Sequence, residues 1–280
     1  MIGAAQDWLE ARVPFDDAAR RQSLPLLDHA AQALLDADPT GQAPLTVVDL
    51  GAGTGKSAAW FRHHLTPRLP DRHIRWLLVD AHEPSLEIAS QHVADADTMV
   101  THLSDLPTAL GDYLPVHPAP GTLLLTCSAV LDVLTQDDVE AILKTLTTYQ
   151  GLGLFLLSIT ADWNLEPADP RDNGLAQAFA EHQRQDGKLG AEGGQTMLRA
   201  ARDHGVRATH GNSPWHLISP RDAEFTRRFL TERVAAAIEA APELEEDALD
   251  WLKSRNQQAA DHLTVTVDHC DVLVDARHDS

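Results

Sequence analysis

The sequence predicts an α/β protein built on a doubly wound, mostly parallel sheet. Three observations carry that expectation. Short aliphatic and β-branched runs alternate with helical patterns through the first 160 residues, and the connections are short. The first such run, Val47-Val-Asp-Leu50, ends on a glycine-rich turn, Gly51-Ala-Gly-Thr-Gly55, and a helical pattern follows at once. The early runs also end on polar residues: Asp49, Asp80, Asp105 and Cys127-Ser128. In open α/β sheets the ligand sits at these carboxyl ends.

Each element has its own reason. Residues 17–37 place Ala18, Leu24, Leu27, Ala31 and Leu34 at helical spacing, which predicts one helix ahead of the core. Pro39-Thr-Gly41 then breaks the chain. Residues 44–50 suit a strand buried on both faces. A helix is expected over 56–65, a strand over 73–80, and a helix over 83–93 with Pro84 in its first turn. Further strands are expected over 98–102, 122–128 and 152–160, with a helix over 128–146. After Thr160 the pattern turns polar. Helices are expected over 174–185 and 195–205, the latter stopped by Gly205, and a strand over 206–210. Two helices separated near Pro242 fill 220–258, and a long strand closes the chain over 263–276. Two late strands after five parallel ones predict a seven-stranded sheet with a terminal antiparallel pair. The whole chain, 1–280, reads as one domain. Its core is about 40–160, with 1–39, 160–198 and 216–260 as helical cap or insertion segments.

The formal charge is −20. Such a chain is repelled by nucleic acid phosphates and by anionic membranes, so neither is an expected partner. Two cysteines, Cys127 and Cys270, cannot make a disulfide framework. The absence of a leader pattern or an 18-residue apolar run points to the cytoplasm. Fifteen histidines form no H-E-x-x-H or H-x-x-x-H pattern, so no metal is expected.

The glycine turn admits three chemistries. A phosphate-binding P-loop needs a glycine five positions before Gly55, and Leu50 stands there. A dinucleotide site can be read from Gly53, but Asp49 would then face a pyrophosphate, like charge against like. S-adenosylmethionine carries a sulfonium and an ammonium, so Asp49 favours it. An acidic groove at the rim of the sheet would welcome that cation and turn phosphates away. Asp80 can accept from both ribose hydroxyls, and Asp105 from the adenine amino group. Each Asp alone could equally be a helix cap or a turn residue.

The motifs resemble those of class I S-adenosylmethionine-dependent methyltransferases. "VVDLGAGTG" is similar to their glycine motif, "LLVDAHEPSLEIA" to the ribose-binding strand and helix, "LSDLP" to the adenine contact, and "LLLTCSAVLDVLT" to the fourth strand and beyond. "FAEHQRQD" and "SPWHL" resemble a poorly characterised actinobacterial-type branch, although "GAEGGQ" replaces the G-P-D-like turn often found there. The resemblance implies a Rossmann-like class I methyltransferase fold and S-adenosylmethionine as cofactor, with S-adenosylhomocysteine as product. It implies cofactor contacts at Asp49, Gly51, Ala52, Gly53, Gly55, Asp80, Ala81, Asp105, Leu106, Cys127 and Ser128.

The implied reaction is in-line methyl transfer to an acceptor. Candidate catalytic residues are Asp132, His182 and Arg184, as base, proton carrier and anion clamp. Trp215 could wall the acceptor pocket, and Arg20, spaced i,i+4 from Asp16, is a further substrate candidate. No Asn/Asp-Pro-Pro-Tyr/Phe turn follows the fourth strand, which with the acidity favours a small-molecule acceptor. A homodimer is compatible with the sequence. Two other classes stay open: an NAD(P)-dependent oxidoreductase, and a non-catalytic S-adenosylmethionine-binding protein.

Overall fold

The computed structural model describes residues 6–114, 119 and 121–277. Two helices, α1 (Gln6–Gln22) and α2 (Leu24–Ala37), precede the sheet. The elements β1 (Leu45–Leu50), α3 (Lys56–Leu65), β2 (Ile74–Asp80), α4 (Glu83–His92), β3 (Asp97–Val100), α5 (Leu106–Tyr113), β4 (Leu123–Ser128), α6 (Gln136–Tyr149) and β5 (Leu152–Glu166) then alternate. The chain continues through α7 (Asp172–Gln183), α8 (Gly193–Asp203), β6 (Arg207–Asn212), β7 (Trp215–Ile218), α9 (Ala223–Ala240), α10 (Glu245–Gln258) and β8 (Thr264–Asp275).

The strand order is β3-β2-β1-β4-β5-β8-β6, with β7 also paired to β8. Strands β1 to β5 run parallel to one another, and β8 lies antiparallel against β5, β6 and β7. This is an open, mostly parallel, Rossmann-like sheet. Among the described residues it has eight strands where seven were expected. The extra one is β7, which pairs with the first half of β8 while β6 pairs with the second.

Both sheet faces are covered, as the aliphatic strands require. Side chains alternate across the sheet. Val47, Leu78 and Leu124 pack with α2, α3 and α4, while Val48, Leu77 and Leu125 pack with α5, α6 and α8. The first face continues past β5 into a cap of α7, α9 and α10, centred on Trp251, Phe229 and Trp163. A buried ion pair ties this cap together. Arg255 donates to both oxygens of Asp172, at 2.6 and 2.8 Å, and Trp251 Nε1 adds a third bond to the same carboxylate at 2.7 Å.

Two expected helices are corrected. The helix expected over 17–37 is two helices, broken at Ser23. Pro25 has no N–H to continue the ladder, and the Ser23 hydroxyl donates instead to buried Asp271 on β8. Asp271 also accepts from Ser213 Oγ at 2.9 Å and from Leu157 N at 2.7 Å. Leu157 lies in a bulge of β5 and has φ 57°. One carboxylate therefore fixes the α1–α2 corner, the bulge and the β6–β7 connection. The helix expected over 128–146 begins only at Gln136. Before it, a single turn of 3-10 helix spans Leu131–Val133. Thr135 caps α6 reciprocally with Asp138, at 2.9 and 3.3 Å.

Candidate functional site

The glycine turn leaves β1 and enters α3 with Gly51, Gly53 and Gly55 all at positive φ. A methyl group on Gly55 would stand 2.9 Å from the Ala89 Cα, so glycine here lets α3 and α4 approach. A methyl on Gly53 would meet nothing within 4 Å, so its backbone faces open space. Gly53 N–H donates to Asp80 Oδ2 at 2.8 Å, and His82 N–H donates to Asp80 Oδ1 at 2.8 Å. Asp80 is thus locked at the end of β2, with one lone pair on each oxygen still free to accept.

Beneath the turn, Asp49 is 1% exposed. Its Oδ1 accepts from Thr126 Oγ1 at 2.7 Å, and its Oδ2 has no partner. Burial pushes its carboxyl up to about 7, against the pull of Thr126 and Arg20. Arg20, from α1, is 5% exposed. It donates to Ser128 Oγ at 3.1 Å and to Asp17 at 3.1 Å, with Asp16 at 3.6 Å.

A cavity of about 440 Å³ opens between the glycine turn and Arg20. Gly51, Ala52 and Gly53 line one side, Ser128 to Val130 another, and α1 roofs it through Arg12, Asp16 and Arg20. The acidic groove expected at the rim of the sheet is corrected here. Arg12, Arg20, Arg21 and Lys56 also face the cavity, beside Asp16 and Asp17. Asp49 is not itself a lining residue; its carboxylate is buried at the end of β1, next to the glycine turn.

Of the expected cofactor contacts, Gly51, Ala52, Gly53 and Ser128 line this cavity, and Asp49, Gly55, Asp80, Ala81, Asp105, Leu106 and Cys127 do not. Ala81 and Asp105 are exposed. Leu106 is fully buried with α6 in the opposite face of the core. Cys127 is buried at the end of β4, where burial and Asp49 hold its thiol well up.

A second cavity, of about 300 Å³, adjoins the first. Arg12 and Ala129 line both. Ala129 has φ 56°, a costly conformation for a non-glycine residue, and its N–H donates to Leu156 O at 2.8 Å. Three residues expected at an acceptor site do meet here: Asp132, His182 and Trp215. Arg184 does not. It caps the end of α7 and is exposed. Asp132 lies on the 3-10 turn rather than on an exposed helix, with Oδ1 buried and unpartnered, and burial raises its carboxyl. His182 Nε2 lies 3.0 Å from Glu239.

The structure adds Arg12, Arg233 and His269, none of them singled out by sequence. Arg12 holds Asp16 by two bonds, at 2.9 and 3.1 Å, and its guanidinium lies 5.3 Å from the Trp215 ring centre. His269 is 3% exposed. Its Nδ1 lies 2.9 Å from the Ser213 carbonyl. A carbonyl only accepts, so Nδ1 carries the proton and Nε2 keeps its lone pair. Burial pulls this imidazole down to about 4, so it is neutral near pH 7. Sequence signals existed for two of these. His269 is in phase with inward-facing Val265 and Val267, and Arg233 falls on the apolar stripe Phe229, Leu230, Val234, Ala237.

Among the described residues, no group of three His, Cys, Asp or Glu gathers at metal-holding distance, and no helix is long and apolar enough to cross a membrane.

No protein-family profile and no curated relative matches the chain. Solved structures do align with it. Phosphoethanolamine N-methyltransferase 2 of Haemonchus contortus, with phosphomonomethylethanolamine and S-adenosylhomocysteine bound, aligns at 14% identity and TM-score 0.41, over 89% of this chain and 52% of its own. The present chain thus spans about half the length of that protein. The cyclopropane synthase MmaA2 from Mycobacterium tuberculosis aligns at 11% identity and TM-score 0.42, over 90% and 83% of the two chains. The plantazolicin methyltransferase BpumL, in complex with a monoazolic desmethylPZN analog and S-adenosylhomocysteine, aligns at 11% identity and TM-score 0.45, over 98% and 91%. All are likenesses at low identity, and the strand order above stands without them.

Proposed function

We propose that this chain is an S-adenosylmethionine-dependent methyltransferase acting on a small molecule. One observation carries the reading: a fully buried carboxylate, Asp49, with one orphaned oxygen, lies under a glycine turn whose Gly53 faces open space. A buried carboxylate of this kind favours a cationic ligand and opposes a pyrophosphate. Asp80, with two free lone pairs beside Gly53, suits a pair of ribose hydroxyls. Arg20, which lines the cavity, offers a partner for the ligand's own carboxylate.

When bound, S-adenosylmethionine supplies an electrophilic methyl group. The protein's part is chiefly alignment. The shared wall at Ala129 sets the two cavities side by side, and Arg12 reaches both. An acceptor hydroxyl or amine must lose a proton. His269, neutral and with Nε2 free, and Asp132 are the two groups placed to receive it. An acceptor carboxylate would need neither.

Calorimetry with S-adenosylmethionine, S-adenosylhomocysteine, NAD and ATP tests the reading. The first two bind and the last two do not. Asp80→Ala weakens the first two by about 1.5–3 kcal/mol, the range for hydrogen bonds to a charged group. Tight binding of NAD alone would make the protein an oxidoreductase instead.

A further inference from the structure

The second cavity contains a charge that the protein leaves unanswered. Arg233, on α9, is 8% exposed and lines that cavity. Its guanidinium lies 3.5 Å from the Phe229 ring centre and 4.7 Å from that of Phe179. It has no hydrogen bond and no ion pair to any described residue. Every other arginine as deeply buried has a polar partner. Arg255 has Asp172, Arg72 has three carbonyls, and Arg20 has Ser128 and Asp17.

An unpaired buried cation is costly, and cation–π contacts return only part of that cost. Arg12, on the same cavity, worsens it by repulsion. Burial and Arg12 together pull the Arg233 guanidinium down to about 9. Asp132 and Glu232 also line the cavity and favour the charged form, yet neither pairs with Arg233. Arg12 already spends its fork on Asp16. The walls around these charges are aromatic: Trp8, Trp215 and Phe179. A 300 Å³ space is small, at the lower end of the range for small-molecule sites.

We infer that the acceptor is a small, planar aromatic anion, its negative group held by Arg233 and its ring laid against Trp215 and Phe179. This rests on the methyltransferase reading for the word acceptor, but not for the binding itself. Arg233 then sets specificity. Its planar fork suits a carboxylate, which would make bidentate, charge-assisted bonds in a desolvated site. The ligand charge would also relieve the repulsion between Arg233 and Arg12.

A charge series on one ring tests this. The full-length protein, saturated with S-adenosylhomocysteine, is titrated with 2-naphthoate, 2-naphthamide and 2-naphthylmethylamine, followed by ligand-observed NMR. The expected order is naphthoate first, with the amide and the amine weaker by about tenfold or more. Arg233→Met should abolish the preference, and Arg233→Lys should keep part of it. Equal binding of naphthoate and naphthamide to the unaltered protein overturns the proposal, with no variant needed. So does an unchanged naphthoate preference in Arg233→Met. Direct titration of S-adenosylmethionine into the protein without S-adenosylhomocysteine, and of naphthoate into the same ligand-free protein, keeps the two readings apart. If the donor fails to bind while naphthoate binds through Arg233, the methyltransferase reading falls and the anion site remains.

Discussion

Asp49 turns one buried carboxyl into a pH response. Its carboxyl is pushed up to about 7 by burial, so folding takes up a proton between the unfolded value near 4 and about 7. In the ligand-free protein this contribution to stability is complete below about pH 4 and is lost as the pH rises through about 7. A bound cation reverses the preference, because it selects the ionised carboxylate. Binding of S-adenosylmethionine below pH 7 must therefore expel a proton. Its affinity should fall by about tenfold per pH unit between pH 7 and pH 5. Calorimetry at pH 6 in two buffers of different ionisation enthalpy measures the proton directly. Asp49→Asn should flatten the affinity profile. A flat profile in the unaltered protein would remove Asp49 from the ligand site.

The elements show how local chemistry places the second cavity. The turn at Leu131–Val133 carries Asp132, and the start of α8 presses against it. A methyl group on Gly193 would sit 2.6 Å from the Leu131 carbonyl oxygen. The glycines of "GAEGGQ", which depart from the turn of the resembling branch, thus permit the close approach that holds Asp132 in place. Gly193→Ala should cost about 1–3 kcal/mol in denaturant unfolding, because backbone must move to admit the methyl. Donor affinity should change little, since Gly193 lies off the first cavity. If Gly193→Ala weakens S-adenosylmethionine as much as Asp80→Ala does, the two cavities are not separable. The sequence disclosed the frame better than this detail. Alternating aliphatic runs and the glycine turn made β1 to β5 legible, because a parallel sheet demands nearly continuous apolar strands. Thr135-Gln-Asp-Asp138 carried a capping box that marks the true start of α6, and the alternation in Trp215-His-Leu-Ile218 marked β7. Arg12 and Arg233 were illegible as a pair. They are 221 residues apart, and only the docking of α1 and α9 over β5 and β8 brings them to one cavity.

At the scale of the molecule, two electrostatic explanations of donor selectivity compete. The formal charge of −20 attracts any cation and repels ATP and NAD from a distance. Asp49 would do the same at short range, buried beside a cavity whose lining bears four cations. Salt separates the two. At 0.15 M ionic strength the long-range field is screened over about 8 Å, and at 1 M over about 3 Å, whereas a fully buried carboxylate is screened much less. The donor-side groups come from α1, the β1 turn, β2 and β4, so occupancy should stabilise the sheet and its roof together. A ligand at about 100 times its Kd adds about 2.7 kcal/mol. For a chain of this size that raises the melting temperature by about 4–6 °C. S-adenosylmethionine and S-adenosylhomocysteine should both produce the shift, and ATP and NAD should not. The discrimination should survive in 1 M NaCl, with the apparent association rate for the cation reduced. If high salt lets NAD or ATP stabilise the protein as well as the donor does, selectivity belongs to the surface charge, and Asp49 is a structural carboxyl beneath a dinucleotide loop.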